Sequence, residues 1–240
     1  MRLLVLQHIE CEHPAQFRRH LESDGIDWVA VELDLGEEIP PLGTFDALWV
    51  MGGPMNVWDT DEHPWLVAEK AAIRQWVVDM ERPFLGICLG HQLLADALDG
   101  RCGYQDPSEI GVLDVHLTRA GIADPIFAGL PPIQRALQWH SVQVVQPPPS
   151  ATVLAESSAC AIQAMRVGRH AWSMQYHVEV EPETVVNWGR VPAYRSALES
   201  TLGPDALIEL ETDAAETMAD FNRNAELLYR NFMEAVQDPS

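Results

Sequence analysis

Cys88 stands in a setting that suits a covalent nucleophile. A short apolar segment leads up to it, and Gly86 and Gly90 flank it at positions i−2 and i+2. This spacing is that of a nucleophile elbow, a sharp strand-to-helix turn whose neighbouring residues must lack side chains. The helix start supplies positive potential and free N–H groups, which lower a thiol pKa and can hold a developing oxyanion. The other three cysteines lack such surroundings, so we predict that Cys88 alone reacts.

A thiol nucleophile needs a base, and the base needs a group that orients it. His177 and Glu179 follow a predicted strand, and residues i and i+2 of an extended chain point the same way. We therefore predict that Glu179 accepts from one imidazole nitrogen of His177 while the other faces Cys88. A His-x-Glu pair often arises by chance, so the assignment of His177 and Glu179 depends on the predicted elbow at Cys88.

The elements that must position these residues alternate between strand and helix in the first half of the chain. Compact apolar runs predict strands, and spaced apolar residues that stop near glycine predict helices. The predicted strands are Leu3–Leu6, Trp28–Leu33, Ala47–Met51 and Phe84–Ile87, and the predicted helices are Pro14–Asp24, Pro64–Met80 and Gln92–Leu98. This rhythm indicates a parallel sheet covered on both faces.

The pattern changes after Gly100, where strand candidates follow one another closely and favour antiparallel additions to the sheet. They are Ile110–Leu117, Ile133–Leu137, Val142–Val145, Thr152–Leu154, Ala161–Val167 and Ala171–Gln175. From about residue 182 the chain is predicted to be helical, with a break at Gly203-Pro204. We predict one α/β domain over residues 1–240, with a mostly parallel, helix-flanked central sheet of flavodoxin-like type.

Composition excludes several classes of protein. With 36 acidic and 15 basic residues, the net charge of −21 disfavours nucleic acids and anionic lipid surfaces. No apolar run is long enough to span a membrane, no signal peptide is recognisable, and no cysteines form a C-x-x-C pair. We therefore predict a reduced, cytoplasmic enzyme without nucleic-acid or membrane partners.

No cofactor is expected from the sequence. The glycine doublet at Gly52 is not followed by a phosphate-loop Lys-Ser/Thr, which disfavours ATP binding. Histidine, cysteine and glutamate cluster between His8 and His13. On a loop after the first strand, we expect a polar rim there rather than a metal site.

Three segments together resemble the signatures of class I, triad-type glutamine amidotransferases. They are Met-Gly-Gly-Pro at 51–54, Gly-Ile-Cys-Leu-Gly-His-Gln at 86–92 and Gln-Tyr-His-Val-Glu at 175–179. They occur in the family's order, spread over residues 52–179 from the glycine doublet to Glu179, and the overall pattern is most similar to stand-alone members that resemble the amidotransferase half of GMP synthase. The resemblance leaves a helical extension over about 182–240.

The resemblance also implies roles for individual residues. Cys88 would attack the side-chain amide of glutamine, with His177 as acid and base and Glu179 as its orienting group. The backbone N–H groups of Gly53 and Leu89 would form the oxyanion hole. The residues implied to lie at the substrate are Gly52, Gln92, His140 and Ser141.

Two departures from the family pattern accompany these matches. Val178 stands where the family usually has proline, between two residues whose side chains are retained. Val142 stands where related proteins often carry the aspartate of a His-x-Asp sequence beside the substrate pocket. The second departure bears on which γ-glutamyl compound is the substrate.

Three functions remain open at this point. The first is a glutamine amidotransferase that releases ammonia through a γ-glutamyl thioester, for delivery to a separate synthetase as is usual for such domains. The second is a stand-alone hydrolase of γ-glutamyl peptides or amides, which Val142 favours. The third is a catalytically idle module that regulates a partner, which the intact Cys88, His177 and Glu179 disfavour.

Overall fold

The computed structural model describes residues 1–237. Strands and helices alternate in the first 100 residues, strands dominate from there to Met174, and helices follow to Gln237. The strands are β1 (Arg2–Gln7), β2 (Asp27–Glu32), β3 (Ala47–Val50), β4 (Phe84–Ile87), β5 (Arg101–Leu117), β6 (Ile133–Gln146), β7 (Ala151–Glu156), β8 (Ala164–Val167) and β9 (Ala171–Met174). The helices are α1 (Gln16–Ser23), α2 (Trp65–Arg74), α3 (Leu89–Ala97), α4 (Arg119–Ala123), α5 (Thr184–Trp188), α6 (Pro192–Leu202) and α7 (Ala206–Gln237). The predicted helical extension includes residues 238–240, which lie outside the described residues.

The strands form one mixed sheet in the order β2-β1-β3-β4-β9-β8-β7-β5-β6. The first five in this order are parallel, and the remaining pairings are antiparallel. The parallel part has the flavodoxin-like order, in which ligands bind beyond the carboxyl ends of the strands where the strand order reverses. The predicted α/β fold with antiparallel additions is confirmed.

The antiparallel half differs from prediction most in two strands. The strand predicted over Ile110–Leu117 begins earlier, at Arg101, because residues 101–104 already pair with the end of β6. Ile133–Leu137 and Val142–Val145 are predicted as separate strands, but both lie in β6. Pairing with β5 continues between them, through Glu109↔His140 and Ile110↔Trp139. The polar residues that suggest a gap are held in the strand by its partner, so tertiary pairing overrides the local pattern.

The predicted helices also need correction at three places. The helix expected over Gln92–Leu98 begins earlier, at Leu89 directly after Cys88, and ends at Ala97. The helix expected over Pro64–Met80 is α-helical only as far as Arg74 and then widens to a π-helical turn, Gln75–Asp79. The helical C-terminal region breaks after Trp188 as well as at Gly203-Pro204, because α6 begins with a proline at its first turn.

Helices cover both faces of the sheet and bury its apolar side chains. On one face α1 and α7 pack over Leu3, Val5 and Trp49, and on the other α2 and α3 pack over Leu4 and Leu6. Along its first half, α7 also covers the β5–β6 hairpin. Among the helices of residues 1–237, none combines the length and apolar character needed to cross a bilayer.

Candidate active site

Cys88 occupies a strained turn between β4 and α3. Its φ of 51° lies in the left-handed region, which costs a non-glycine residue about 1–3 kcal/mol and is typical of functional turns. A Cβ on Gly86 would lie 2.6 Å from the carbonyl oxygen of Gly90, and a Cβ on Gly90 would lie 2.1 Å from that of Val50. The glycine spacing in the sequence is therefore a steric requirement of this turn.

His177 and Glu179 follow β9, the parallel neighbour of β4. The two strands end side by side, and the Cys88 N–H donates to the Met174 carbonyl at 2.8 Å. His177 Nδ1 donates to Glu179 Oε1 at 2.6 Å, and Glu179 Oε2 accepts from the Val178 N–H at 3.0 Å. His177 Nε2 makes no hydrogen bond to a nitrogen or oxygen of residues 1–237 and is left for the Cys88 thiol or a ligand.

Burial and neighbouring charges act in opposite directions on the pKa values of His177 and Cys88. Burial disfavours the imidazolium, but the Glu179 carboxylate and the Cys88 side chain outweigh it and hold the pKa of His177 well above its usual value. Burial raises the pKa of the Cys88 thiol, and the neighbouring His177 acts in the opposite direction. The exposed fractions of Cys88, His177 and Glu179 are 6%, 1% and 3%. A thiol thus lies beside an oriented proton acceptor, with little access for water.

Two backbone donors next to Cys88 are unpaired within residues 1–237. Within the described chain, neither the Gly53 N–H nor the Leu89 N–H forms a hydrogen bond. Leu89 is the first residue of α3, so its N–H is one of those that a helix leaves unsatisfied. Packing brings the two residues together, because a Cβ on Gly53 would lie 2.9 Å from Leu89 Cδ2. These donors can hold an anionic oxygen.

Gln92 and Gln175 connect the turn to the β5–β6 hairpin. Gln92 Nε2 donates to the Val142 carbonyl at 3.1 Å and to Gln175 Oε1 at 3.0 Å. Gln175 Nε2 lies 3.6 Å from Cys88 Sγ. Sequence reasoning includes Gln175 in a motif but assigns it no role; its position two residues before His177 is the available signal.

His140 and Ser141 lie farther along the same network. His140 Nδ1 donates to the Val142 carbonyl at 3.0 Å, and its Nε2 lies 3.2 Å from Glu109 Oε2. Ser141 Oγ is bonded to Ser108 Oγ at 2.7 Å. None of the hydrogen bonds within residues 1–237 joins His140 or Ser141 directly to Cys88 or His177. Val142 thus contributes its backbone carbonyl, which any residue at this position would supply.

The loop after β1 is not the polar rim that its composition suggests. Glu10 is exposed, but His8 and Glu12 are 0% and 3% exposed. Glu12 Oε1 accepts from the Tyr194 hydroxyl at 2.6 Å, and its Oε2 would lie 2.4 Å from a Cβ on Gly52. Sequence reasoning misses both Glu12 and Tyr194 as residues of the site.

Side chains beyond residue 182 close over the same site. The Trp188 ring meets that of His177 edge-on, with 4.6 Å between ring centroids, and its Nε1 donates to the Cys11 carbonyl at 3.2 Å. Tyr194 packs against Trp188, with 6.0 Å between ring centroids. The helical extension is therefore part of the site's wall.

The buried carboxyl of Glu12 makes stability depend on pH. Burial raises its pKa above the unfolded value, although His177 and Tyr194 oppose the shift. As pH rises, Glu12 ionises in the unfolded chain before it ionises in the folded protein. The free energy of unfolding therefore falls between the pKa of Glu12 in the unfolded chain and its higher pKa in the folded protein. Glu12→Gln keeps an oxygen that can accept from Tyr194. We expect its free energy of unfolding, relative to that of the native protein, to increase as pH rises from about 5 to about 8.

Urea unfolding of both proteins at the two pH values measures this gap. Glu10→Gln, at an exposed position, serves as the control for losing one negative charge. A gap for Glu12→Gln that stays constant or narrows as pH rises would contradict the assigned burial effect.

The site lacks the features of a metal centre in the described chain. Across residues 1–237 no three histidine, cysteine, aspartate or glutamate side chains are grouped as metal ligands would be. The chemistry supported by these residues is that of a thiol, an imidazole, a carboxylate and backbone donors.

Comparisons with known proteins all point to one family. The family model described as "Glutamine amidotransferase class-I" matches residues 15–186. The chain is 34% identical over 191 residues to the glutamine amidotransferase-like protein YfeJ of Salmonella typhimurium, covering 77% of this chain and 78% of that one. It is 33% identical over 165 residues to one subunit of the glutamine-hydrolysing GMP synthase of Halobacterium salinarum, covering 67% of this chain and 82% of that subunit.

A solved structure extends the similarity over almost the whole chain. A glutamine amidotransferase from Thermotoga maritima superposes with a TM-score of 0.85 at 26% identity, covering 99% of each chain. The family model alone spans well over half of the sequence. The chain therefore belongs to the class I glutamine amidotransferase family.

Proposed function

We propose that this protein hydrolyses the side-chain amide of glutamine to glutamate and ammonia, with Cys88 as nucleophile. The observation that carries this proposal is the strained Cys88 turn beside the oriented His177–Glu179 pair. A thiol, a base and an orienting carboxylate in this order are what thioester chemistry requires.

The first half of the reaction forms the thioester. The thiol proton passes to His177 Nε2 as Cys88 Sγ bonds to the amide carbon. His177 returns that proton to the amide nitrogen, the C–N bond breaks, and ammonia leaves a γ-glutamyl thioester on Cys88. Glu179 keeps the Nδ1 proton in place and stabilises the imidazolium formed in between, in keeping with the raised pKa of His177.

The second half releases glutamate. His177 takes a proton from water, whose oxygen bonds to the thioester carbon, and the C–S bond then breaks. The departing thiolate recovers the proton from His177, which restores the starting state. In both halves of the reaction the carbonyl oxygen becomes negatively charged. We assign the N–H groups of Gly53 and Leu89 to the oxyanion hole that binds this oxygen, because both are unpaired within residues 1–237.

The amino-acid end of glutamine is assigned to the Gln92 side of the site. Gln92 uses its Nε2 twice, which leaves its Oε1 to accept from the substrate's α-ammonium group. Gly52, His140 and Ser141 complete the proposed substrate contacts. His140 supports these contacts indirectly, because its Nδ1 donates to the same Val142 carbonyl as Gln92 Nε2.

We further propose that the ammonia passes to a separate synthetase protein. The Halobacterium relative is named as one subunit of a GMP synthase, which supports a partner of this kind. We assign residues 1–240 to a single amidotransferase-like domain, and a cytoplasmic location is supported by four free cysteines.

A stand-alone γ-glutamyl hydrolase is the second candidate. Val142 favours it, because the buried valine side chain offers no carboxylate where many relatives have one. A pocket without that charge would discriminate less between free glutamine and larger γ-glutamyl compounds.

Assays of the purified protein with glutamine and with γ-glutamyl peptides and amides separate these functions. We expect ammonia and glutamate from glutamine in equal amounts, and a covalent adduct of the glutamine analogue acivicin on Cys88 in peptide mass spectra. Fast turnover of the γ-glutamyl compounds but not of glutamine would establish the second candidate. If the protein shows neither turnover nor an adduct, the regulatory binding module is the function that remains. An adduct without turnover would keep the glutamine site and require a partner for activation.

A further inference from the structure

His8 and Glu69 form a buried pair directly behind the glycine turn that follows β3. Both side chains are 0% exposed, and His8 Nε2 lies 2.8 Å from Glu69 Oε1. His8 Nδ1 lies 2.8 Å from the Gly52 carbonyl oxygen. A carbonyl oxygen only accepts, so Nδ1 carries a proton and donates it to Gly52.

The bond to the Gly52 carbonyl has a consequence on the other side of the same peptide. The Gly52–Gly53 peptide is trans, so its C=O and N–H point in opposite directions. A donor that holds the Gly52 oxygen therefore also sets the direction of the Gly53 N–H. This N–H is one of the two donors beside Cys88 that have no partner in the described part of the chain.

A peptide between two glycines needs such a restraint. Neither residue has a Cβ, so the backbone rotates between orientations at little steric cost. A flipped peptide would turn the Gly52 carbonyl, rather than the Gly53 N–H, toward the substrate oxygen. His8 also packs on this turn directly, since a Cβ on Gly53 would lie 2.9 Å from His8 Cβ.

The His8–Glu69 pair is fixed by packing, but one of its carboxylate oxygens lacks a hydrogen bond within residues 1–237. The His8 ring stacks on Trp65, with 5.5 Å between centroids and 17° between planes. Glu69 Oε2 is buried and finds no hydrogen-bond partner among residues 1–237. An unsatisfied buried carboxylate oxygen costs stability, which favours a functional reason for keeping the pair. Burial opposes protonation of His8, but Glu69 raises its pKa above the usual value, so that both ring nitrogens can donate.

We propose that the His8–Glu69 pair is a positioning device that holds the Gly52–Gly53 peptide with its N–H directed at the oxyanion. The inference rests on the proposed thioester chemistry. His8 acts through the Gly52 carbonyl and Glu69 acts through His8, so neither residue needs to touch the substrate.

A matched pair of variants tests this role. In His8→Asn the side-chain amide places an N–H donor near the position of Nδ1, whereas His8→Leu has a similar shape and no donor. Removing an oxyanion donor costs on the order of 10²–10³ in kcat, so we expect His8→Leu to lose about 10–100-fold in kcat with little change in KM. We expect His8→Asn to recover most of that loss.

Two reagents then distinguish oxyanion positioning from general damage to the site. The γ-semialdehyde of glutamate adds to Cys88 by forming an S–C bond, and its former carbonyl oxygen becomes a bound hydroxyl or oxyanion. Iodoacetamide alkylates the same sulfur, with iodide leaving, and creates no oxyanion. We expect His8→Leu to weaken aldehyde binding by the same factor as kcat, while the alkylation rate of Cys88 stays within about twofold.

Equal losses in His8→Asn and His8→Leu, or equal losses with both reagents, would overturn the positioning role. If the native protein neither hydrolyses glutamine nor binds the aldehyde, the proposed function fails instead. Crystal structures of the native protein and His8→Leu then decide the positioning role on their own. A rotated Gly52–Gly53 peptide in the variant supports it, and an unchanged peptide overturns it.

Discussion

Cys88→Ser is expected to lower glutamine hydrolysis by on the order of 10⁴-fold while leaving the fold intact. Serine fits the space of the thiol, but a hydroxyl loses its proton far less readily than a thiol does, and its oxygen is the poorer nucleophile. The strained φ of 51° at this position is set by the turn and not by the sulfur, so the variant should unfold at nearly the same urea concentration. Release of glutamate and ammonia from glutamine, measured with urea unfolding, tests both parts.

Cys11→Ser provides the control for this substitution. The Cys11 side chain is half-buried near the site, but the contact with Trp188 uses its backbone carbonyl, which serine retains. We expect activity close to that of the native protein. Full activity of Cys88→Ser, or an equal loss in Cys11→Ser, would refute the assignment of the nucleophile.

Gly90→Ala is expected to destabilise the fold by about 4 kcal/mol or more. The new Cβ would lie 2.1 Å from the Val50 carbonyl oxygen and 2.8 Å from its carbon, both in the backbone of β3. A flexible side chain could move away from such a clash, but a central strand cannot shift without breaking its pairing on both sides. Chemical denaturation of the purified variant measures the loss, and we expect the little folded protein that remains to be inactive.

Gly43→Ala is the matched control for the same chemical change. Gly43 is exposed, its φ is not positive, and no atom lies within 4 Å of the added Cβ. Its effect should stay within about 0.5 kcal/mol. If Gly90→Ala behaved like Gly43→Ala, the close approach of α3 to β3 could not be as described.

Local signals are sufficient to predict the elements around Cys88. The apolar run Phe84–Ile87, the flanking glycines and the following helix predict both the turn and the nucleophile, because all the information lies within a few consecutive residues. The triad assignment itself stays a prediction until the variants are measured. The continuous β6 could not be predicted, because the polar residues at its centre are kept extended by a partner strand distant in sequence.

Polar residues that become buried are the hardest to predict. His8 and Glu12 belong to an acidic, histidine-rich loop, a composition that normally indicates exposure. Their burial depends on Glu69 and Tyr194, which lie 61 and 182 positions away respectively. No periodicity in either segment reports such a contact, so only the assembled fold reveals it.

The placement of α7 has a consequence for how the chain acquires its structure during synthesis. Its second half completes the apolar layer over Leu3, Val5 and Trp49, and the Tyr229 hydroxyl bonds to Asp24 across 205 positions of sequence. On that face, α1 covers only part of the strands made first, and the rest stays uncovered until α7 has left the ribosome. Such long-range closure slows folding and leaves apolar surface open to aggregation or to chaperones in the meantime. The nascent protein therefore cannot complete the layer beneath its active site before translation has passed α7.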